Sequence, residues 1–285
     1  VQIDRTVPPD LLFNEEYPYF SSVSDALLEH SRRNAEELCE LLVLDSGSFV
    51  VELASNDGYM LRNFVARGIP VLGIDPSRAP CEAAERAGIP VMCRFFDMEL
   101  AKQVVSDRGR ADLVIANNVL AHVPDLNGFV AAIATLLSDE GMAVIEAPYL
   151  VDLIAETQFD TIYHQHLCYF SVATLQKLFA RHGLRIQKVQ QLGIHGGSLR
   201  LTVTHGTEDG ESLKELLAFE VRRGVNKLET YHAFSKRAAT LVKELKSYLT
   251  DLKGEGYKIA AYGAAAKGTT LLHFADIDRS LLEYV

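Results

Sequence analysis

Five short apolar runs, each followed by a stretch of helical spacing, constrain this chain more than any other feature. FVVELAS, PVLGID, PVMCRFF, ADLVIANN and GMAVIEAP recur between residues 49 and 148, separated by segments such as RNFVARG and RAPCEAAERAG. Strands alternating with helices predict a parallel, doubly wound sheet covered on both faces. A helix, ATLQKLFARHG, then precedes two further strands, LRIQKVQQL and SLRLTVTH. The second reads as the hairpin partner of the first, so the sheet is expected to hold seven strands and to end in an antiparallel hairpin.

The flanks read differently. Residues 1 to 25 mix proline and aromatics without a sustained period and read as an ordered arm. SDALLEHSRRNAEELCELL has helical spacing behind a Ser or Asp cap, which predicts a helix from Ser24 to about Leu44. Residues 207–255 are helical and charged. YKIAAYGAAAKGTTLLHF then reads as strand, glycine turn and helix, opening a second nucleotide-fold unit that LLEYV leaves incomplete, so the natural protein is expected to continue. The expected division is an arm over 1–30, a sheet domain over 31–206, and a helical segment leading into an incomplete α/β unit over 207–285.

Composition removes several classes of function. A net charge of −10 and a pI near 5.4 oppose the clustered Lys and Arg that a nucleic-acid backbone requires. No apolar run approaches the length of a membrane span, and the opening residues lack a secretory pattern. The cytoplasm is the expected compartment. Cys39, Cys81, Cys93 and Cys168 show no Cys-x-x-Cys spacing and read as reduced thiols.

The run FVVELASNDGYML places Glu52 inside the first strand and a small-residue turn, Ala54 to Gly58, where the strand meets the next helix. Such a turn brings backbone amides close to a ligand. A dinucleotide enzyme needs Gly-x-Gly-x-x-Gly here, and only Gly58 is present, which disfavours hydride-transfer cofactors. Asp75, about 20 residues on, ends the second strand, where a carboxylate can accept both hydroxyls of a ribose. Asp97 follows the third strand, at the position for an adenine amine. Each aspartate can also be a cap or turn residue; together, in strand order, they favour an adenosyl ligand.

Asn117, Asn118 and His122 lie just past the fourth strand, beside the crevice in which such folds bind ligands. His122 can serve chemistry there or cap a surface helix. The segment QFDTIYHQHLCYF concentrates Tyr163, His164, His166 and Tyr169 beyond the fifth strand. Zinc is one reading of two histidines two apart, but no third ligand has ordinary spacing, and no metal is expected. Acid–base work suits imidazole better, because it titrates near neutrality and can take a proton from carbon when the oxyanion formed is stabilised. Tyrosine hydroxyls can supply that hydrogen bond.

With EYPYFSS, ELASNDGYML, NNVLAHVPD, QFDTIYHQHLCYFS, HGGSLR and YGAAAKG in order, the chain resembles the sugar C-methyltransferases that act on dTDP-linked 4-keto-hexoses. The resemblance spans essentially the whole chain. It implies an S-adenosylmethionine-dependent enzyme that methylates a carbon next to the ketone of a nucleotide-linked keto-sugar. By that likeness His166 removes the α-proton, and Tyr17, His122 and Tyr163 line the same pocket and support the enolate. Glu52, Ala54, Asn56, Asp57, Gly58, Asp75, Asp97, Met98, Asn117 and Asn118 would hold the cofactor. Tyr149, His164, His195, Arg200, Tyr262 and Lys267 would face the sugar nucleotide, Lys267 near the diphosphate and the HGGSLR residues closing over the substrate. A hairpin turn needing glycine explains Gly196 and Gly197 equally well.

Two departures from the family stand out. Members usually begin with a cysteine-rich zinc-binding region and complete the C-terminal domain, and this chain has neither. Gln165 stands where Glu is common between the two histidines, which would leave a neighbouring base weaker. An O- or N-methyltransferase of another small metabolite would share the cofactor half, and a non-catalytic binding module would share the fold.

Overall fold

Ser24 opens the first long helix as its residue type predicts: its hydroxyl accepts from the Leu27 amide at 3.3 Å, satisfying one of the orphan donors of the first turn. The computed structural model describes residues 1–14, 19–263 and 265–285, so Tyr17 lies outside the described residues. In chain order the elements are α1 (Pro9–Leu12), α2 (Asp25–Leu42), β1 (Val50–Leu53), α3 (Arg62–Val65), β2 (Val71–Asp75), α4 (Arg78–Arg86), β3 (Val91–Cys93), α5 (Met98–Arg108) and β4 (Ala111–Asn117). There follow α6 (Leu126–Leu136), β5 (Leu137–Pro148), α7 (Leu150–Ala155), α8 (Val172–Ala180), β6 (Leu184–Leu192) and β7 (Ser198–His205). The chain ends with α9 (Glu211–Arg223), α10 (Leu228–Gly254) and α11 (Ala266–Phe274).

All seven strands form one sheet in the order β3-β2-β1-β4-β5-β7-β6. Pairs from β3 to β5 are parallel, and β7 runs antiparallel to both β5 and β6. The hairpin therefore inserts its second strand beside β5 and leaves its first at the edge. Strand order reverses between β1 and β4, which opens a crevice beyond their carboxyl ends.

Alternation along the strands splits the core. Val51 and Leu53 join Val114 and Ile145 under α5, α6 and α8, while Val50, Val71 and Ile115 face Leu38 of α2, Phe64 of α3 and Ala84 of α4. Helix α2 stops two residues before the expected Leu44, because Val43 takes a left-handed φ of 51° and ends it. It also runs unbroken across positions 30 and 31, where the division between arm and sheet domain was drawn. YKIAAY, expected as a strand, makes a single parallel bridge from Ala260 to Tyr284; two short strands without a further neighbour gain too little to form a ladder. A separate apolar cluster of Phe159, Ala238, Val242, Ala275 and Ile277 packs α10 and α11 against the loop after α7.

Helix α2 is fastened to the sheet by charge as well as packing. Glu146 on β5 is 1% exposed and accepts from Arg200 Nε of β7 at 2.7 Å; His30 Nε2 of α2 lies 3.0 Å from both its oxygens. Burial raises the Glu146 pKa, but His30 and Arg200 outweigh it and hold the carboxyl below its usual value. Arg200→Met would leave that carboxylate buried with one partner fewer. Chemical denaturation at pH 7 should show a loss of about 3 kcal/mol; an unchanged midpoint would mean that His30 alone satisfies the buried Glu146 carboxylate.

Candidate active site

Each wall of the crevice is a strand end. The turn after β1 carries Ala54 and Asn56 in left-handed conformations, with φ of 56° and 49°, and both residues line the cavity. Asp75 closes β2, only 5% exposed, with one carboxylate oxygen accepting from the Asn56 amide at 2.9 Å and the other from the Ser77 amide at 2.8 Å. Burial raises its pKa, and these backbone bonds oppose the rise. After β3, Asp97 caps α5 by accepting from the Leu100 amide at 2.8 Å and also lines the cavity with Met98, Phe95 and Phe96. Asp97 is thus both a helix cap and part of the cavity wall. Asn117 and Asn118 follow from β4 and line the same space; among the described residues the buried Asn117 Oδ1 has no partner, an acceptor left for a ligand donor. An adenosyl ligand fits this set: acceptors for ribose and amine groups, and aromatic rings beside Asp97.

Three expected cofactor residues act behind this wall. Glu52 is fully buried; burial, then the charges of Asp75 and Asp57, push its pKa well up. It lies behind the turn, and neither of its side-chain oxygens has a hydrogen-bond partner among the described residues. Asp57 turns away and accepts from the Ser22 amide at 3.1 Å. Gly58, with φ of 76°, leaves no room for a Cβ against Ile89, so its job is the close approach of turn and α4. None of the three lines the cavity. Asn56 does, but its side chain holds the arm: Oδ1 accepts from the Ser21 amide at 2.8 Å and Nδ2 donates to Tyr19 O at 3.0 Å.

The opposite end of the cavity carries the imidazoles. His122 Nδ1 lies 2.6 Å from Gln165 O, and His166 Nδ1 lies 3.0 Å from Thr161 O. A carbonyl only accepts, so Nδ1 carries the proton in both rings and each neutral ring keeps its lone pair on Nε2. The Tyr163 hydroxyl lies 3.4 Å from His166 Nε2, and the two histidine rings are 5.0 Å apart between centroids. Burial lowers the pKa of His122. Burial, reinforced by the neighbouring His122, lowers that of His166 to about 4. Phe13 of the arm packs edge-on against His122 at 5.6 Å.

Tyr149, His195 and Lys267 also line the cavity. His195 has a left-handed φ of 55°, and Gly197, at φ 111°, lies so close to Asp152 that any Cβ would collide with it. Three expected substrate residues are elsewhere. Arg200 is committed to Glu146 and also approaches Glu37 at 3.6 Å. His164 is exposed on the outer side of its loop, and Tyr262 is fully exposed; neither lines the cavity. The reason is local: the chain turns at this point, the His166 amide donating to Tyr163 O at 3.0 Å, so the two-residue spacing that would put both histidines on one face of an extended strand does not do so here. Sequence reasoning missed Phe13, Tyr59, Ser77, Phe96 and Gln158, all cavity-lining. Ser77 and Phe96 could have been found, since each lies just past a strand end. Among the described residues no three His, Cys, Asp or Glu side chains converge on a metal position, and no helix is long and apolar enough to cross a membrane.

Residues 27–189 match the family model described as a methyltransferase domain, and residues 193–285 match the C-methyltransferase C-terminal domain. The chain is 33% identical over 271 residues to the C-methyltransferase NovU of Streptomyces niveus, covering 94% of this chain and 64% of that protein. A ubiquinone biosynthesis O-methyltransferase of Rhodopseudomonas palustris is 30% identical over 129 residues, 44% of this chain and 48% of its own length. The chain therefore spans less than two thirds of these relatives. In fold it is similar to an S-adenosylmethionine-dependent methyltransferase from Clostridium acetobutylicum, with a TM-score of 0.52 and 11% identity over 63% of this chain and 92% of that one. With the sheet order, the crevice and the matched residues in agreement, the chain belongs to the methyltransferase-domain family.

Proposed function

We propose that this protein is an S-adenosylmethionine-dependent C-methyltransferase acting on a carbon next to the ketone of a nucleotide-linked 4-keto-deoxyhexose, dTDP being the favoured nucleotide. The observation that carries the reading is a single cavity of about 1460 Å³ with ribose-type acceptors at one end and two neutral imidazoles with tyrosines at the other. That volume exceeds the roughly 300–1,000 Å³ of an ordinary small-molecule site, leaving room for cofactor and sugar nucleotide together. The likeness to NovU, a C-methyltransferase, along 94% of this chain supports the reading, as does Lys267 on the cavity wall, a cation suited to a diphosphate. The arm over 1–30, the sheet domain over 31–206 and the segment over 207–285 would then contribute substrate contacts, cofactor site and nucleotide contacts. The cytoplasm, where sugar nucleotides are made, is the compartment we assign.

S-adenosylmethionine, when bound, supplies an electrophilic methyl group. The chain's own residues must do the rest, because a sugar carbon is a nucleophile only as an enolate. Asp75 and the turn from Ala54 orient the cofactor. His166 accepts the α-proton on Nε2, its Nδ1–H held by Thr161 O so that the lone pair keeps its direction. The neighbouring Tyr163 hydroxyl and His122 stabilise the enolate oxygen, and Phe13 and Tyr149 keep water out.

Proton exchange isolates this step. With a dTDP-4-keto-6-deoxyhexose in deuterated water and no cofactor, NMR should show loss of one α-proton signal, and His166→Ala should slow that loss by about 10²–10⁴-fold. Equal exchange in both proteins would remove His166 as the base, and no exchange in either would favour a heteroatom acceptor, as in the O-methyltransferase relatives.

The depressed His166 pKa sets the pH window. A base whose pKa falls from 6.5 to about 4 stays unprotonated as pH drops through 6.5, so kcat/KM should hold from pH 7 to 5 and decline only near 4. Circular dichroism at each pH would show that the chain remains folded. An acid limb centred at 6.5 would instead mean that the working imidazole is solvated.

A further inference from the structure

Two thiols flank the Asp75–Pro76 peptide, and none of the chemistry above uses them. Cys81, on α4, is 3% exposed, and its Sγ–H donates to Asp75 O at 3.2 Å. Cys93, the last residue of β3, is exposed and donates to Pro76 O at 3.7 Å. The β2–β3 register sets Cys93 beside Asp75, and the two thiols donate to the carbonyls of consecutive residues. One sulfur is thus open to solvent and the other buried at the same peptide. Cys39 and Cys168 sit on α2 and beyond the His166 loop.

We infer that Cys81 and Cys93 form a reversible oxidation site at which a peroxide closes a disulfide and loosens the loop that carries Asp75. The effect on ligand binding rests on the cofactor reading of Asp75. Cys93 is the sulfur that meets the oxidant. Its thiolate attacks the peroxide O–O bond; an S–O bond forms, the O–O bond breaks and water leaves, so sulfur loses two electrons and peroxide gains them. Cys81 sulfur then attacks the sulfenic sulfur, forming S–S, breaking S–O and releasing a second water that takes the Cys81 proton. Both sulfurs bond to the one Asp75–Pro76 peptide, which places them as neighbours for such a bond. Burial pushes the Cys81 thiol up, so it gives up its proton only as the S–S bond forms, and the exposed Cys93 is the sulfur attacked.

The consequence follows from hydrogen count. A disulfide has no S–H, so Asp75 O and Pro76 O both lose their donors at once. These carbonyls bracket the peptide from which the Asp75 carboxylate reaches the Asn56 and Ser77 amides. Freed of those donors and pulled by the new bond, the loop no longer presents both carboxylate oxygens to a ribose.

The full-length chain, reduced and then treated with hydrogen peroxide, provides the test. Peptide mass mapping should find Cys81 and Cys93 joined with the loss of two hydrogens. Calorimetry should show S-adenosylhomocysteine binding about tenfold more weakly, the equivalent of one lost hydrogen bond, and dithiothreitol should restore it. Cys93→Ser, an exposed change, should bind like the reduced protein and ignore peroxide. Oxidation of Cys93 to a sulfinic acid with no cross-link would overturn the site. A cross-link with affinity held within twofold would overturn its coupling to Asp75. If the reduced chain binds no S-adenosylhomocysteine at all yet cross-links, the cofactor reading fails and the coupling with it, while the thiol pair stands.

Discussion

Asn56 joins three parts of the molecule that are far apart in the chain. Its left-handed backbone turns the chain out of β1, its amide donates to Asp75 at the end of β2, and its side chain grips the arm at Tyr19 and Ser21. Asparagine is one of the few residues that tolerates this φ while still offering a donor and an acceptor. The wall formed by the ends of β1 and β2 and the arm are therefore held by one residue. Phe13, which packs against His122, is placed by the same arm.

The acid–base end depends on two backbone carbonyls. Thr161 O and Gln165 O each fix an imidazole tautomer, so the side chain of Gln165 is not what orients its neighbours; its main chain is. Burial lowers the pKa of both histidines, and for His166 the neighbouring His122 adds to it. Under the proposed function, the low pKa of His166 makes it a weak base, which suits a proton already acidified by an adjacent ketone.

The third element is the long-range fastening of helices to the sheet. Glu146, His30 and Arg200 tie α2 to β5 and β7, and the Phe159 cluster ties α10 and α11 to the loop beside α7. The second of these brings Lys267 to the cavity, although it lies more than a hundred residues from the strands that form it. Tyr262, five residues earlier, is left outside because the short bridge at Ala260 ends before it.

Much of this was legible beforehand. Apolar runs between helical stretches determine a buried parallel sheet, because only strands covered on both faces can be so continuously apolar, and the late hairpin follows from two adjacent runs without room for a crossover. Strand ends border the crevice in that topology, which is why Asp75, Asp97, Asn117 and Asn118 could be placed on the cavity wall from their address. The sequence could not say which way a loop side chain points, since spacing in an irregular segment carries no period; hence His166 faces the cavity and His164 does not. Nor could it foresee that Arg200 would be drawn to a buried carboxylate 54 residues away in the chain. Local pattern sets elements and their ends, and only tertiary packing decides partners, because the energy of a buried charge is settled by what the folded chain places beside it.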